Sequence, residues 1–219
     1  MNVTLLCTSR DHPVNDWLLE WKEKQKWQHN IAICHDIRDL PGGDVLFLIS
    51  CSQIIDVFTR EKYRHTLVLH ASDLPHGRGW SPYIWALLEG AEAITVSLLQ
   101  AEDCVDTGAI WAKRTFRVPP HALHNEIHCL LFNTELALMD EGLTLISSGA
   151  YPDPQPQHIS PTYYRRRTPA DSEVDPSQSL RDLFPTIRLM DPQRYPAFFH
   201  LHGHTYTIEL KKVLFHEDD

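Results

Sequence analysis

The stretch Val45-Leu-Phe-Leu-Ile-Ser50 constrains the fold more than any other part of the chain. Successive side chains of a strand point to opposite faces, so a run that is apolar at nearly every position needs cover on both. The inner strands of a sheet layered between helices have that cover, and such sheets are mostly parallel. The surroundings agree. Val3–Cys7, Ile31–Cys34, Thr66–His70, Ile94–Leu99 and Ile110–Val118 read as further strands. Between and after them, Trp17–Trp27, Ile55–Tyr63, Pro82–Glu89 and His121–Ser147 read as helices. This alternation predicts an α/β fold over residues 1–150: a Rossmann-like, open, mostly parallel sheet with helices on both faces.

Near residue 150 the composition changes. Tyr151-Pro-Asp-Pro-Gln-Pro-Gln157 is Pro-rich and polar, and reads as a linker leaving the main domain. It introduces a small C-terminal extension over 151–219, with a Tyr/Arg cluster at 163–167 and a short helix near Leu180–Phe184. The extension ends in a β-hairpin pairing Phe198–His202 with Tyr206–Leu210 across Gly203, whose edge offers a place for a second copy in a homodimer. A net charge of −9 disfavours a chain whose main partner is nucleic acid. No apolar run reaches the length of about twenty residues that spans a bilayer, and the first residues lack a basic region followed by a long apolar stretch. Five cysteines without a C-x-x-C pair read as reduced thiols. A soluble, cytoplasmic protein is expected.

Open parallel sheets bind ligands beyond the carboxyl ends of their strands, which directs attention to residues that end strands. His70 ends one. Asp106 lies in the loop after another, and both loops are expected on the same edge. A carboxylate aimed at an imidazole fixes its tautomer and supports its charge, a pairing suited to proton or acyl-group transfer. On pattern alone, one histidine among fourteen is more readily structural. The cluster His200-Leu-His202-Gly-His204 would align on one strand face, yet it lacks metal-ligand spacing, and no metal is expected.

The segment Leu67–Ile110 resembles the formyltransferases that use 10-formyltetrahydrofolate. His70, Ser72, Leu74, Pro75, Arg78, Gly79 and Pro82 fall in register with the family signature, followed by Gly90, Thr95 and Asp106-Thr107-Gly108. Asp44–Ile55 is similar to the strand and loop that hold the pterin, and the likeness extends over roughly residues 1 to 118. The resemblance implies His70 and Asp106 as catalytic residues. It implies a folate site at Gln53, Ile54, Ile55, Leu74, Asp103 and Cys104. One position departs: where the family has an Asn that donates to the formyl oxygen, this chain has Val68. Ser50, Ser52 and Gln53 are the candidate replacements, a protonated His70 acting alone is another solution, and a catalytically silent folate- or nucleotide-binding module is the alternative.

Tyr163-Tyr-Arg-Arg-Arg-Thr-Pro-Ala-Asp171 and Ile187–Phe198 resemble the family members acting on nucleotide-linked amino sugars. The acceptor implied is the amine of such a sugar, plausibly a 4-amino-4,6-dideoxy hexose. Arg supplies bidentate phosphate contacts and aromatic rings supply stacking. Arg78, Gly79, Trp80, Tyr163, Tyr164 and Arg165 are therefore expected to line the acceptor site. A methionyl-tRNA formyltransferase with a reduced C-terminus competes with this reading.

Overall fold

A computed structural model describes residues 1–213. Six strands form the main sheet: β1 (Asn2–Leu6), β2 (Asn30–Cys34), β3 (Gly43–Leu48), β4 (Tyr63–His70), β6 (Ala93–Gln100) and β7 (Ile110–Arg117). Their spatial order is β2-β1-β3-β4-β6-β7. The first four run parallel; β6 runs antiparallel to β4, and β7 antiparallel to β6. The sheet is thus mixed and mostly parallel, with β3 inside it as its sequence demands.

The faces of β3 show why that run is apolar throughout. Val45, Phe47 and Ile49 point into one core, formed with α1 (Val14–Gln25) and α4 (His124–Ser147). Leu46 and Leu48 point into the other, formed with Leu6, Leu40, Ile55 and Tyr63. Helices α1 and α4 are also tied by Asp140, which accepts from Trp21 Nε1 and Gln25 Nε2, both at 2.8 Å. No helix among the described residues is long and apolar enough to cross a membrane. All five cysteines are free, with Cys7 and Cys34 buried in the core.

Several elements differ in extent from expectation. The helix expected over Ile55–Tyr63 shrinks to one turn, α2 (Val57–Arg60), because the Asp56 carboxylate caps it at the Thr59 amide and Tyr63 already opens β4. Helix α1 begins three residues before Trp17. The C-terminal hairpin pairs β9 (Ala197–Leu201) with β10 (His204–Ile208) through a two-residue turn at His202–Gly203, both at positive φ. The three histidines therefore do not share a strand face: His200 is on β9, His202 in the turn and His204 on β10.

The Pro-rich segment does not lead away from the domain. Asp153 exchanges two backbone hydrogen bonds with Ile110 at the start of β7. Farther on, β8 (Tyr163–Tyr164) pairs in parallel with β5 (Arg78–Gly79). Helix α5 (Leu180–Ile187) then buries Leu183 and Ile187 with Ile84 and Leu87 of α3 (Pro82–Leu88) and Ile127 of α4. Burial of each such side chain contributes about 1.5–3 kcal/mol, enough to hold the extension against the sheet.

Candidate active site

The direction of β6 raises a geometric problem for a site built from His70 and Asp106. His70 pairs with Ser97 and Leu67 with Gln100, so β6 ends roughly 10 Å back along β4 from the histidine. The carboxyl ends of β4 and β6 consequently lie at different edges, contrary to the expectation of a common one. The loop 101–109 solves this by folding back along the sheet. Its base closes where the Gln100 amide donates to the Ala109 carbonyl at 2.8 Å. Gly108 permits that closure, because a Cβ there would stand 1.8 Å from the Gln100 carbonyl oxygen. Asp106, at the far end of the loop, adopts φ 57°, a left-handed conformation that Asp tolerates better than most residues.

The pair then meets in a shielded place. His70 is 7% exposed. Its Nδ1 lies 3.5 Å from Asp106 Oδ1, and both side chains are nearly closed to solvent. Its Nε2 lies 2.8 Å from the Gly77 carbonyl oxygen. That oxygen can only accept, so Nε2 carries hydrogen. Nδ1 faces a carboxylate, which also only accepts. The carboxylate's charge thus sits where it orients the ring and supports positive charge on it. Asp106 uses its other oxygen, Oδ2, to accept from the Gly79 amide at 2.8 Å. Gly79 also lies hard against Tyr164, whose carbonyl oxygen a Cβ on it would meet at 2.4 Å, so glycine is needed where this amide is placed.

The loop between β4 and β5 is anchored as firmly. Lys113 Nζ donates to Asp73 Oδ1 and to the Leu74 carbonyl, each at 2.6 Å. Ser97 Oγ donates to the Ser72 carbonyl at 2.7 Å. The Gly77 amide donates to Thr162 Oγ1 at 2.8 Å. Both the imidazole and the carbonyl that holds it are thus fixed from strands on either side.

The other expected residues divide into open and closed. Of the residues expected to hold a folate, Gln53 and Cys104 are exposed, and Ile54 is 71% exposed. Val105 is exposed as well, which puts an uncovered apolar side chain on each of the two loops flanking the His70 face of β4. Such surface suits the flat face of a heteroaromatic ring. Ile55 and Leu74, by contrast, are closed into the core, Leu74 at 1% exposure, so they support the loops rather than offer contact. The Asp103 carboxylate is paired with Arg60 Nη2.

On the acceptor side, Trp80 and Tyr163 are exposed. The Arg166 guanidinium lies 4.7 Å from the Trp80 ring centroid and that of Arg78 lies 5.8 Å from Tyr163. Arg78 also donates to Tyr163 Oη at 3.0 Å. Tyr164 and Arg165 are committed elsewhere. Tyr164 stacks on Trp85 at 6.2 Å and donates to Glu89 at 2.6 Å. Arg165 lies over the same Trp85 at 4.7 Å and pairs with both oxygens of Asp171. Both residues tie the extension to α3. At the position of the departing Asn, Val68 packs its side chain against the apolar cluster of Leu48 and Ile55. Of the candidate donors, Ser52 is bound to Thr8 and Gln53 stands in solvent.

A sequence model of the formyl transferase family matches residues 7–139, more than half of the chain and all of the segment that carries His70 and Asp106. The chain belongs to the formyl transferase family. The methionyl-tRNA formyltransferase of Nitrosomonas eutropha is 30% identical over 162 residues, covering 73% of this chain and 51% of that protein. The chain spans about half the length of the curated relatives it matches first. Among solved structures, methionyl-tRNA formyltransferase from Clostridium thermocellum superposes with a TM-score of 0.78 at 23% identity, over 94% of this chain and 90% of that one. HypX from Aquifex aeolicus in complex with tetrahydrofolic acid gives 0.75 at 19%, over 93% and 36%. A 4-N formyltransferase from Francisella tularensis gives 0.71 at 15%, over 97% and 98%. At these identities the structures share the fold.

Within this family member, two groups escaped the sequence reading, one beside the pair and one in the core under α4. Gln155, in the Pro-rich segment, touches both loops of the site; nothing in its neighbourhood signals that. Glu135 of α4 is buried without a partner at Oε2, and burial pushes its carboxyl up to about 8. Its position between Phe132 and Leu138 on the apolar face of a helix is a legible signal. Beside it, Tyr83 and His128 share a hydrogen bond of 2.9 Å, and burial holds His128 down to about 3.

Proposed function

We propose that this chain transfers a formyl group from 10-formyltetrahydrofolate to the amine of a nucleotide-linked amino sugar. One observation carries the proposal: a shielded imidazole at a strand end stands 3.5 Å from a carboxylate that is itself aimed by a backbone amide. The exposed apolar residues Ile54 and Val105 give the carrier's pterin a surface, and the bound carrier supplies the activated formyl group. The acceptor amine forms the new bond to the formyl carbon as that carbon's bond to the carrier nitrogen breaks. His70 relays the proton lost by the amine to the carrier nitrogen as that nitrogen leaves, and Asp106 orients the ring and supports its charge. Because Val68 has no donor, the His70 Nε2–H is the donor for the charge growing on the formyl oxygen, exchanging its Gly77 partner for that oxygen.

For the acceptor, the exposed Trp80 and Tyr163, each under an arginine, suit a base and a diphosphate. A solved structure of a sugar N-formyltransferase from Shewanella sp. matches over nearly its whole length, which supports an amino-sugar acceptor. Incubation with 10-formyltetrahydrofolate and a panel of UDP-, dTDP-, GDP- and CMP-linked amino sugars tests the proposal by mass spectrometry. A product heavier by one formyl group is expected, and none across the panel sinks the acceptor class.

The likeness to methionyl-tRNA formyltransferases favours a second reading, with an aminoacylated tRNA as acceptor. It requires RNA binding that weakens steeply with salt, against the net charge of −9.

A further inference from the structure

Gln155 uses every polar group it has on the two loops of the site. Its Nε2 donates to the carbonyl of Asp106 at 2.8 Å and to that of Gly108 at 2.9 Å. Its Oε1 accepts from Arg78 Nη2 at 2.6 Å. Only a primary amide offers two N–H donors and an acceptor from one position, and Asn is a methylene too short. The first two bonds grip the backbone on which Asp106 sits, within a loop of irregular structure whose ordering costs about 1–2 kcal/mol per residue. The third grips β5, where the neighbouring Gly79 amide aims the Asp106 carboxylate. Arg78 Nε is buried without a partner, so the guanidinium depends on Gln155 and Tyr163 for its hold.

We infer that Gln155 is a positioning residue: one side chain couples the backbone carrying Asp106 to the strand whose amide orients that carboxylate on His70. The inference rests on the reading of His70 and Asp106 as the reacting pair. A plain loop staple would matter to stability alone. A positioning role reaches the chemical step and the Gly79 amide.

The test uses the full chain with Q155E, which keeps the acceptor for Arg78 and loses both donors, and Q155M, which keeps the length and loses all three bonds without adding charge. The Gly79 amide resonance is followed in 15N-labelled protein, with D106A marking its position once the carboxylate is gone. In both variants that resonance should move toward the D106A position. With an accepted amine, kcat should fall about 10- to 100-fold while KM for the carrier changes by less than about threefold. A Gly79 resonance left in place in a folded variant overturns the inference, as does a kcat within about twofold of wild type. The Gly79 readout needs no turnover. Inactive wild-type protein whose Gly79 amide still moves in Q155E would refute the proposed reaction and leave the positioning contact standing.

Discussion

His70 stands between two acceptors, a carbonyl and a carboxylate, and this placement governs what its loss should do. Proton transfer by a positioned side chain is worth about 10²–10⁴ in rate. His70→Ala is expected to reduce formyl transfer by that factor while thermal melting shows a folded chain; near-wild-type turnover would remove the residue from the mechanism. Val68 offers the complementary experiment. Its side chain packs among Leu48 and Ile55, so Val68→Asn buries an amide in an apolar cluster at a cost of about 1–3 kcal/mol. If the His70 Nε2–H already serves the formyl oxygen, kcat in this variant should stay near the wild-type value. A gain of about 10²–10³ would instead reveal a site that lacks its donor. The pair itself was legible in the sequence because a histidine at a strand end and an Asp-Thr-Gly turn fall in a known register. The contacts of Tyr164 and Arg165 were not legible, because composition shows which side chains can bind a phosphate or a base and not which also bond to Glu89 or Asp171.

At the scale of elements, periodicity located nearly every strand and helix, and the errors arose at their ends. Helix α2 is short because Asp56 caps it late and the strand claims Tyr63 early, a competition between local signals that no single window contains. The antiparallel direction of β6 was likewise invisible: a strand buried on both faces reads the same either way. That direction makes the 101–109 loop the demanding element of the site. Gly108→Ala would place a methyl group 1.8 Å from the Gln100 carbonyl, so the loop base must open and Asp106 must move. A displacement of about 1 Å can cost about 10² in rate. Turnover should fall by that order with melting little changed, since the loop contributes few core contacts. A variant of unchanged rate would mean that Asp106 finds His70 without the closure at Gln100.

Across the whole molecule, buried ionisable groups predict a domed dependence of stability on pH. Burial holds His12 down to about 4 and His128 to about 3, below the unfolded value of 6.5. The unfolded chain therefore binds more protons below pH 6.5, and stability falls on acidification. Glu135 is raised from 4.5 to about 8, so the native state holds the extra proton and stability falls as pH rises through that interval. Between 4.5 and 6.5 the two histidines outweigh the one carboxyl; above 6.5 the carboxyl is alone, at roughly 1.4 kcal/mol per pH unit. Maximum stability should lie near pH 6.5 by urea unfolding. Glu135→Gln should flatten the alkaline limb, and an unaltered slope would show that Glu135 ionises freely. A change of register between β4 and β6 has a consequence of a different kind. The pairing of His70 with Ser97 and of Leu67 with Gln100 sets where one strand's numbering meets the other's, like a stop on a sliding rule. Because side chains alternate, the smallest slip that keeps the faces is two residues, about 7 Å, more than the reach of any carboxylate. Insertions or deletions in this ribbon should therefore silence the protein outright, even where the hydrophobic layers close again around them.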